Sequence, residues 1–353
     1  MDLAQLDSWL AERGEPAYRG QQIWRWLAGG ADSFEQMTDL PAGLRAALGE
    51  ELALSTLGER ARHRSADGTE KVLMETADGR PLEAVLMRYR DGRRSLCLSS
   101  QSGCPLTCTF CATGTMKFGR NLTESEILDQ ALCFRRDGGV NHAVFMGMGE
   151  PMMNLDAVLA ACERLPDMGI SHAHTTVSTV GWLPGIERMA REGPAVRLAL
   201  SLHAPEDALR SELMPVNDRY PLAEVLAACR EWRRVRRRKV FIEYLMLDGV
   251  NDRVEQATQL AELLAPGGRG AGGGAGGVRG GGVRGRAVAR RSDDFKVNLI
   301  PYNPTGERYG GSSRAAIDAF REALLARGVP ATVRLTRGRD IDAACGQLAA
   351  TAA

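Results

Sequence analysis

The sequence has no excess of either charge, no stretch typical of an export signal and no hydrophobic run of membrane-spanning length. Its 353 residues include 45 basic and 44 acidic side chains, a formal net charge of +1, so the charge of the whole molecule does not predict a nucleic-acid partner. Acidic residues stand near the amino terminus, where a signal peptide would be basic. Nothing approaches a membrane span. We therefore expect a cytoplasmic protein without membrane association, in which any RNA contact depends on a local patch.

The chain contains eight cysteines. Without an export signal, cysteines are better interpreted as metal ligands or reactive thiols than as a disulfide framework. Four of them fall between residues 97 and 111. Cys133, Cys162 and Cys229 lie in amphipathic helical patterns, which predict packing in the core. Cys345 lies in a polar stretch before a glycine, where a reactive thiol and an inert one are equally compatible with the sequence.

The residue pattern divides the chain into three regions. Residues 1–52 hold short segments with helical spacing of apolar residues, which predict a small helical accessory domain and a candidate RNA-binding domain. Residues 53–91 alternate apolar and polar positions between Asp-Gly turn signals, which predicts a bridge of β-hairpins. Residues 92–349 alternate short apolar runs with helical stretches, which predicts an α/β fold with a parallel sheet, open or closed into a barrel. In such sheets, ligands bind at the carboxyl ends of the strands.

A segment rich in glycine and arginine interrupts the third region at residues 267–291. It has few side chains whose burial could offset the entropy of ordering, so we expect a disordered insertion. Gly/Arg tracts can bind single-stranded RNA, but this one lacks aromatic residues for base stacking. A dispensable insertion is therefore the favoured interpretation.

Three cysteines form a compact group, Cys104-x3-Cys108-x2-Cys111, in a loop after the first strand of the third region. Three thiolates can ligate three irons of a cubane cluster, whereas electron-transfer clusters normally take four cysteines. The fourth iron would stay open for substrate, as the open position of a catalytic metal does. Structural zinc and inert packing are the alternatives, and both are less favoured because no histidine or second cysteine pair lies near this loop.

Polar residues stand at the ends of several predicted strands. On their own such residues are usually structural, but several at one rim of a sheet favour a ligand site. Glycines and a carboxylate follow one strand in a pattern that exposes backbone and suits an ammonium group. The candidates are Gly149, Glu150, Ser178, Ser201, His203 and Asn303.

The cysteine spacing, with Phe110 before the last cysteine, resembles the radical S-adenosylmethionine (SAM) superfamily. More extensively, the stretches "GCPLTCTFCATG", "GMGEPMMNLDAV", "STVG", "LALSLHAP", "IEYLMLDGVND", "NLIPYNP" and "RGRDIDAACGQLA" resemble the RlmN family of radical SAM adenosine methyltransferases. That resemblance implies a partial (β/α)6 TIM-like barrel and a 4Fe-4S cluster held by Cys104, Cys108 and Cys111. It also implies methylation of carbon 2 of adenosine in 23S ribosomal RNA and in some transfer RNAs.

The resemblance further implies a mechanism that uses two SAM molecules per turnover. Cys345 would take a methyl group from the first, and a radical from the second would activate that methyl for addition to the RNA. Glu83 would remove the proton from carbon 2, and Cys97 would release the product by forming a disulfide with Cys345. The positions carried over for SAM are Gly149, Glu150, Ser178, Ser201, Leu202, His203 and Asn303.

Several alternatives remain open at this stage. The sister enzyme type that methylates carbon 8 of adenosine, and gives antibiotic resistance, shares the cluster and both reactive cysteines. A radical SAM enzyme acting on protein or a small molecule would not need them, and a zinc-stabilised RNA-binding module would contain no iron. The basic run 230–239, with its one tryptophan, is equally compatible with phosphate binding and with a solvated helix end, and Arg19, Trp24 and Arg25 are a second candidate for RNA contact. The expected electron donor is a protein such as flavodoxin, and the chain gives no clear signal for an oligomer, so we expect a monomer.

Overall fold

The amino-terminal region is a group of three helices. The computed structural model describes residues 1–265, 294–306 and 308–350, so the Gly/Arg tract predicted to be disordered lies outside the described residues. Helix α1 begins after Asp2, whose carboxylate accepts hydrogen bonds from two amide groups of the first turn. Helix α2 ends at Gly30, which has a φ of 101°, a left-handed conformation that glycine adopts without strain. The bounds are α1 Leu3–Glu12, α2 Tyr18–Gly29 and α3 Ala42–Glu51.

Two antiparallel hairpins follow the helices. They comprise β1 Leu57–Arg64, β2 Glu70–Thr76 and β3 Pro81–Arg88. Strand β3 pairs antiparallel with β4, Arg94–Cys97. The hairpins are therefore an antiparallel extension of the main sheet, and β3 lies directly beside the strand that precedes the cysteine loop.

The main sheet has ten strands among the described residues, in the order β1-β2-β3-β4-β7-β8-β9-β10-β11-β12. From β4 to β12 all neighbours are parallel. The predicted α/β class is confirmed: the central sheet is mostly parallel, and helices lie outside it. The remaining strands are β5 Gln101–Ser102, β6 Arg120–Asn121, β7 His142–Phe145, β8 Thr175–Thr179, β9 Arg197–Ser201, β10 Val240–Met246, β11 Phe295–Pro301 and β12 Ala331–Val333.

Helices connect the parallel strands and cover their outer face. Helix α5 begins with a capping box in which Thr123 and Glu126 each accept a hydrogen bond from the other's backbone. None of the helices in the described part of the chain is long and apolar enough to cross a membrane. The remaining helices are α4 Ala112–Thr115, α5 Glu124–Arg136, α6 Leu155–Arg164, α7 Leu183–Glu192, α8 Asp207–Leu213, α9 Leu222–Arg236, α10 Val254–Leu264 and α11 Arg314–Ala326.

Alternation along the strands creates an interior space on the concave face of the sheet. In β7, Ala143 and Phe145 are fully buried, whereas His142 and Val144 line a cavity. Side chains alternate between the two faces of a strand, so every second residue of the other parallel strands also lies on this face. Two cavities result. The upper cavity, about 150 Å³, lies at the carboxyl ends of the strands, and the lower cavity, about 440 Å³, lies toward their amino ends.

Candidate active site

The cysteine loop is held at both ends by the two-stranded sheet of β5 and β6. Gly103 has a φ of 72°, and a Cβ there would lie 2.5 Å from the carbonyl oxygen of Lys117, so this turn requires glycine. Cys104, Cys108 and Cys111 are half-buried free thiols. They line one cavity of about 120 Å³ at the top of the upper cavity.

The donor set of this loop fits an iron–sulfur cluster. Among the described residues, no three His, Cys, Asp or Glu side chains are grouped closely enough to hold one metal ion, but in a cubane each thiolate ligates a different iron and can stand further apart. Burial raises the pKa of the Cys104 thiol to about 12. A coordinating thiol is deprotonated by the metal itself, so burial does not prevent ligation.

Glu150 is placed by the glycine-rich turn that follows β7. Gly149 has a φ of 96°, and a Cβ there would lie 2.5 Å from the Gln101 side chain. That side chain accepts a hydrogen bond from the Glu150 amide at 2.8 Å. The Glu150 carboxylate is buried and accepts hydrogen bonds from the amides of Met152 and Val180.

The buried Glu150 carboxylate has no ion-pair partner among the described residues, and it lines the upper cavity. Burial raises its pKa to about 7 because the charged form loses its hydration. An ammonium group of a bound ligand would supply the missing counter-charge. The position therefore fits the amino group of an amino-acid cofactor such as SAM.

Ser178, Ser201 and His203 line the upper cavity beside Glu150. The Nδ1 atom of His203 accepts a hydrogen bond from the Leu245 amide at 3.0 Å. Burial, followed by the charge of Arg210, lowers the His203 pKa to about 3. The ring is therefore neutral, with its proton on Nε2 and available as a donor.

Leu202, the seventh position carried over for SAM, differs from its neighbours. It is fully buried and does not line the upper cavity. Its amide donates to the carbonyl oxygen of Glu243, and its own carbonyl oxygen accepts from Arg210. Leu202 thus fixes the strand end between Ser201 and His203 and presents no side chain to a ligand.

Asn303 follows β11 and is 1% exposed. Its side-chain nitrogen lies 3.4 Å from the carbonyl oxygen of Cys345. Its Oδ1 atom is buried with no hydrogen-bond partner. An unsatisfied buried acceptor is costly, and a donor on a bound cofactor would satisfy it.

Cys345 lies where two cavities meet the carboxyl-terminal segment. It lines the upper cavity, and it lines a further small cavity together with Cys97 and Asn303. Arg334 lines both cavities as well. Cys97 is buried, which raises its pKa to about 12. The fold thus brings together two free thiols that are 248 residues apart in the sequence.

The segment that carries Cys345 is bonded to the cysteine loop. The amide of Ala112 donates to the carbonyl oxygen of Gly346 at 2.8 Å. The hydroxyl of Thr113 donates to the carbonyl oxygen of Leu348 at 2.6 Å. The position of Cys345 therefore depends directly on the conformation of the loop with the three cysteines.

Glu83 lies apart from the cavities that contain Cys345. It is 1% exposed and forms an ion pair of 3.0 Å with Lys71. Its Oε2 atom accepts hydrogen bonds from the amides of Ala349 and Ala350, both at 3.0 Å. The structure therefore places Glu83 against Ala349 and Ala350, which follow Cys345 by four and five residues. Glu83 does not line the upper cavity.

Trp24 and Trp232, which lie in the two basic segments that are candidates for RNA contact, are buried. Trp24 donates to Asp167 at 2.6 Å under Arg164, and Trp232 is 1% exposed. Neither ring can stack on a base. The helical spacing that exposes the arginines turns the large apolar side chains toward the core.

Three residues that complete the site were not selected from the sequence. Lys71 pairs with Glu83, and Arg334 lies beside Cys345. Arg210 is fully buried and donates to carbonyl oxygens of Val180, Ser201 and Leu202. Single arginines and lysines carry no local signal of such roles, because each contact depends on how strands and loops pack against one another.

Comparisons with known proteins agree with this geometry. The profile of the Radical SAM superfamily matches residues 98–261, and that of the Ribosomal RNA large subunit methyltransferase N-terminal domain matches residues 1–54. A "Probable dual-specificity RNA methyltransferase RlmN" of Rhodopirellula baltica is 45% identical over 98% of this chain and 88% of its own length. A "Dual-specificity RNA methyltransferase RlmN" of Pelobacter propionicus is 41% identical over 99% of this chain and 94% of its own length. The crystal structure of a radical SAM methyltransferase from Sphaerobacter thermophilus is 41% identical, has a TM-score of 0.86 and covers 99% of this chain and 98% of its own.

Proposed function

Because this chain belongs to the RlmN family of radical SAM RNA methyltransferases, we propose that it methylates carbon 2 of adenosine in 23S ribosomal RNA and in some transfer RNAs. The observation that carries the proposal is the position of Cys345. It lines one cavity with Glu150, Ser201 and His203, and another with Cys97. The names of the relatives favour RlmN chemistry over the carbon-8 alternative.

The radical SAM family implies a 4Fe-4S cluster and SAM. Together, when bound, these supply a methyl group and a radical that abstracts hydrogen. In our proposal Cys104, Cys108 and Cys111 hold the cluster, and two SAM molecules are used per turnover. Glu150 holds the ammonium group, and the other carried-over polar groups and Asn303 orient the remainder of SAM.

Cys345 acts as the methyl acceptor. Its thiol gives its proton to solvent, and the thiolate would form the new S–C bond to the methyl carbon of SAM as the bond from that carbon to the sulfonium sulfur breaks and S-adenosylhomocysteine leaves. Arg334 stands beside it in both cavities, where its positive charge faces the sulfur that attacks. Arg334 thus supports the attack without touching the substrate.

Cys97 resolves the covalent protein–RNA adduct. Its thiol loses its proton, the thiolate attacks the sulfur of Cys345, the bond from that sulfur to the methylene carbon breaks, and the released electron pair takes up a proton to complete the methyl group of the product. The two cysteines are left as a disulfide, which an external reductant must open before the next turnover. Burial holds Cys97 as a thiol between turnovers, which keeps it from reacting early.

Glu83 is the proposed base for the proton on carbon 2. In the structure its carboxylate is fully engaged by Lys71 and by the amides of Ala349 and Ala350. To accept a proton from the RNA, it must first lose those two amide contacts. The base step therefore requires residues 349–350 to withdraw from β3 when RNA binds.

The test is to supply anaerobically prepared protein with SAM, a chemical reductant and a fragment of ribosomal RNA, and to identify methylated nucleosides by mass spectrometry. We expect 2-methyladenosine. Formation of 8-methyladenosine would move the assignment to the sister chemistry. Iron-loaded protein that cleaves SAM but methylates no adenosine would remove RNA as the substrate.

Two cysteine variants separate the steps. Cys345→Ala should retain iron and lose methyl transfer to RNA completely. Cys97→Ala should still form the adduct and fail to release it, which gives a protein–RNA band on a denaturing gel. Cys162→Ala, in the buried core, is the matched control and should show neither effect.

For partners and location we propose a cytoplasmic enzyme that acts as a monomer. A small redox protein such as flavodoxin would reduce the cluster. The eight free cysteines favour a reducing compartment. Reduction of the purified enzyme by flavodoxin, followed by SAM cleavage, tests the donor directly.

A further inference from the structure

The lower cavity is strongly basic. Its walls include the side chains of Arg93, Arg197 and Lys296, and Glu243 is the sole carboxylate among the described residues that line it. The Glu243 carboxylate already has two partners: it accepts a hydrogen bond from Asn298 and lies 3.7 Å from Arg334. Arg93, Arg197 and Lys296 thus face the cavity without forming an ion pair among the described residues, although the charge of Lys296 acts on Glu243.

Aromatic rings hold two of these cations in place. The guanidinium of Arg93 lies 3.8 Å from the centre of the Tyr89 ring. That of Arg197 lies 5.9 Å from the centre of the Phe241 ring. Cation–π contacts orient a guanidinium without neutralising it, so both groups keep their charge available for an anion.

The cations and imidazoles of the lower cavity repel one another. Burial lowers the pKa of Arg197, and the charge of Arg238 lowers it further. Burial, then His174, Arg93 and Arg197, lowers the pKa of His142 to about 4. His142 stacks on His174 with ring centres 4.2 Å apart. Protonation of His142 is disfavoured here because burial and the neighbouring positive charges outweigh the opposing charge of Asp91.

The lower cavity continues directly into the site of methyl transfer. Met146, Glu243 and Arg334 line both it and the upper cavity that contains Cys345. The loop with the three cysteines covers the opposite side, at the carboxyl ends of the strands. A base that reaches Cys345 from the uncovered side leaves its sugar and phosphates in the lower cavity, whose volume of about 440 Å³ lies in the range of ligand sites.

We propose that the lower cavity binds the phosphodiester backbone beside the target nucleotide, with Arg93, Arg197 and Lys296 contacting phosphate oxygens. The inference rests on the proposed function, since it takes RNA as the substrate, and it assigns the backbone contacts to the barrel interior. Guanidinium and ammonium groups are the usual phosphate donors in RNA complexes. Phosphate contacts position a nucleic acid without reading its sequence, which suits an enzyme that accepts more than one RNA.

The experiment compares Arg197→Gln/Lys296→Gln with the wild-type holoenzyme. Binding of a fluorescent ribosomal RNA stem-loop is measured by anisotropy between 50 and 200 mM salt. Loss of two phosphate contacts should weaken binding roughly tenfold and make the salt dependence shallower by a slope of roughly 2. Methylation of Cys345 from SAM without RNA should be unchanged, which shows that the fold and the SAM site are intact.

The matched control is Arg314→Gln/Arg321→Gln on α11, which removes the same charge from the outer surface and should bind RNA as the wild type does. The variant Arg197→Gln/Lys296→Arg keeps a cation at position 296. Its salt dependence should therefore recover about one of the roughly two units of slope that Arg197→Gln/Lys296→Gln loses. If the double variant binds RNA with wild-type affinity and slope, the lower cavity is not the phosphate site. That result differs from failure of the proposed function, in which the wild-type enzyme itself methylates no RNA.

Discussion

Replacing Lys71 with methionine should destabilise the protein by about 3–5 kcal/mol, because it leaves a charged Glu83 buried without its partner. The two side chains are 9% and 1% exposed, and their charges are 3.0 Å apart. Solvent therefore cannot replace the lost cation. The amides of Ala349 and Ala350 stabilise the carboxylate in part, which places the expected cost at the lower end, about 3 kcal/mol.

The measurement is a double-mutant cycle with Lys71→Met, Glu83→Gln and both together, followed by thermal unfolding. Lys71→Met should lower Tm by at least about 6 °C. The loss of unfolding free energy in the double variant should be smaller than the sum of the losses in the two single variants by about 2 kcal/mol or more. The reason is that neither partner is then left charged without the other.

Lys117→Met, at an exposed lysine, is the control for losing one positive charge and should shift Tm by less than 2 °C, as surface substitutions do. A Lys71→Met protein that melts within 2 °C of wild type would refute the reasoning. Additive effects of the two single changes would also refute it, since they would mean that the pair contributes no coupling energy.

Two further predictions concern the turn after β7. Gly149→Ala forces a residue with a side chain to adopt a φ of 96° and places its Cβ against Gln101. SAM binding by this variant, measured by equilibrium dialysis, should be lost. The control is Gly14→Ala, at a glycine with a φ of 67° and open space around it, and this variant should bind SAM normally. For Glu150, the folded pKa of about 7 exceeds the ordinary 4.5, so the folded state holds the proton more tightly. Its stabilising contribution is present below pH 4.5 and is lost as the pH rises to 7. Relative to Glu150→Gln, the unfolding free energy of SAM-free protein should fall by about 3 kcal/mol over that interval; parallel pH profiles in urea unfolding would contradict this.

The parts of the candidate site that could be predicted from the sequence are those formed by residues close together in the chain. The cysteine loop and the turn with Gly149 and Glu150 are local motifs at strand ends, and an α/β alternation is enough to place them on one rim. The fold class was confirmed for the same reason, since strand and helix patterns are local.

What the sequence did not predict depends on contacts between distant residues. The partners of Glu83 lie 266 and 267 residues away at Ala349 and Ala350. The lower cavity collects single residues from several strands, each unremarkable in its own segment. The burial of Trp24 and Trp232 was also not predicted, because it depends on which side of each basic helix packs on the core.

The bonds from Ala112 and Thr113 to the segment around Cys345 affect how variants of the cysteine loop must be interpreted. A substitution in that loop that disturbs the backbone shifts the proposed methyl acceptor as well as the proposed iron ligands. Lost activity in such a variant is therefore no measure of lost iron. Iron content and the alkylation rate of Cys345 have to be determined on the same preparation, because the two halves of the chemistry share one set of backbone contacts.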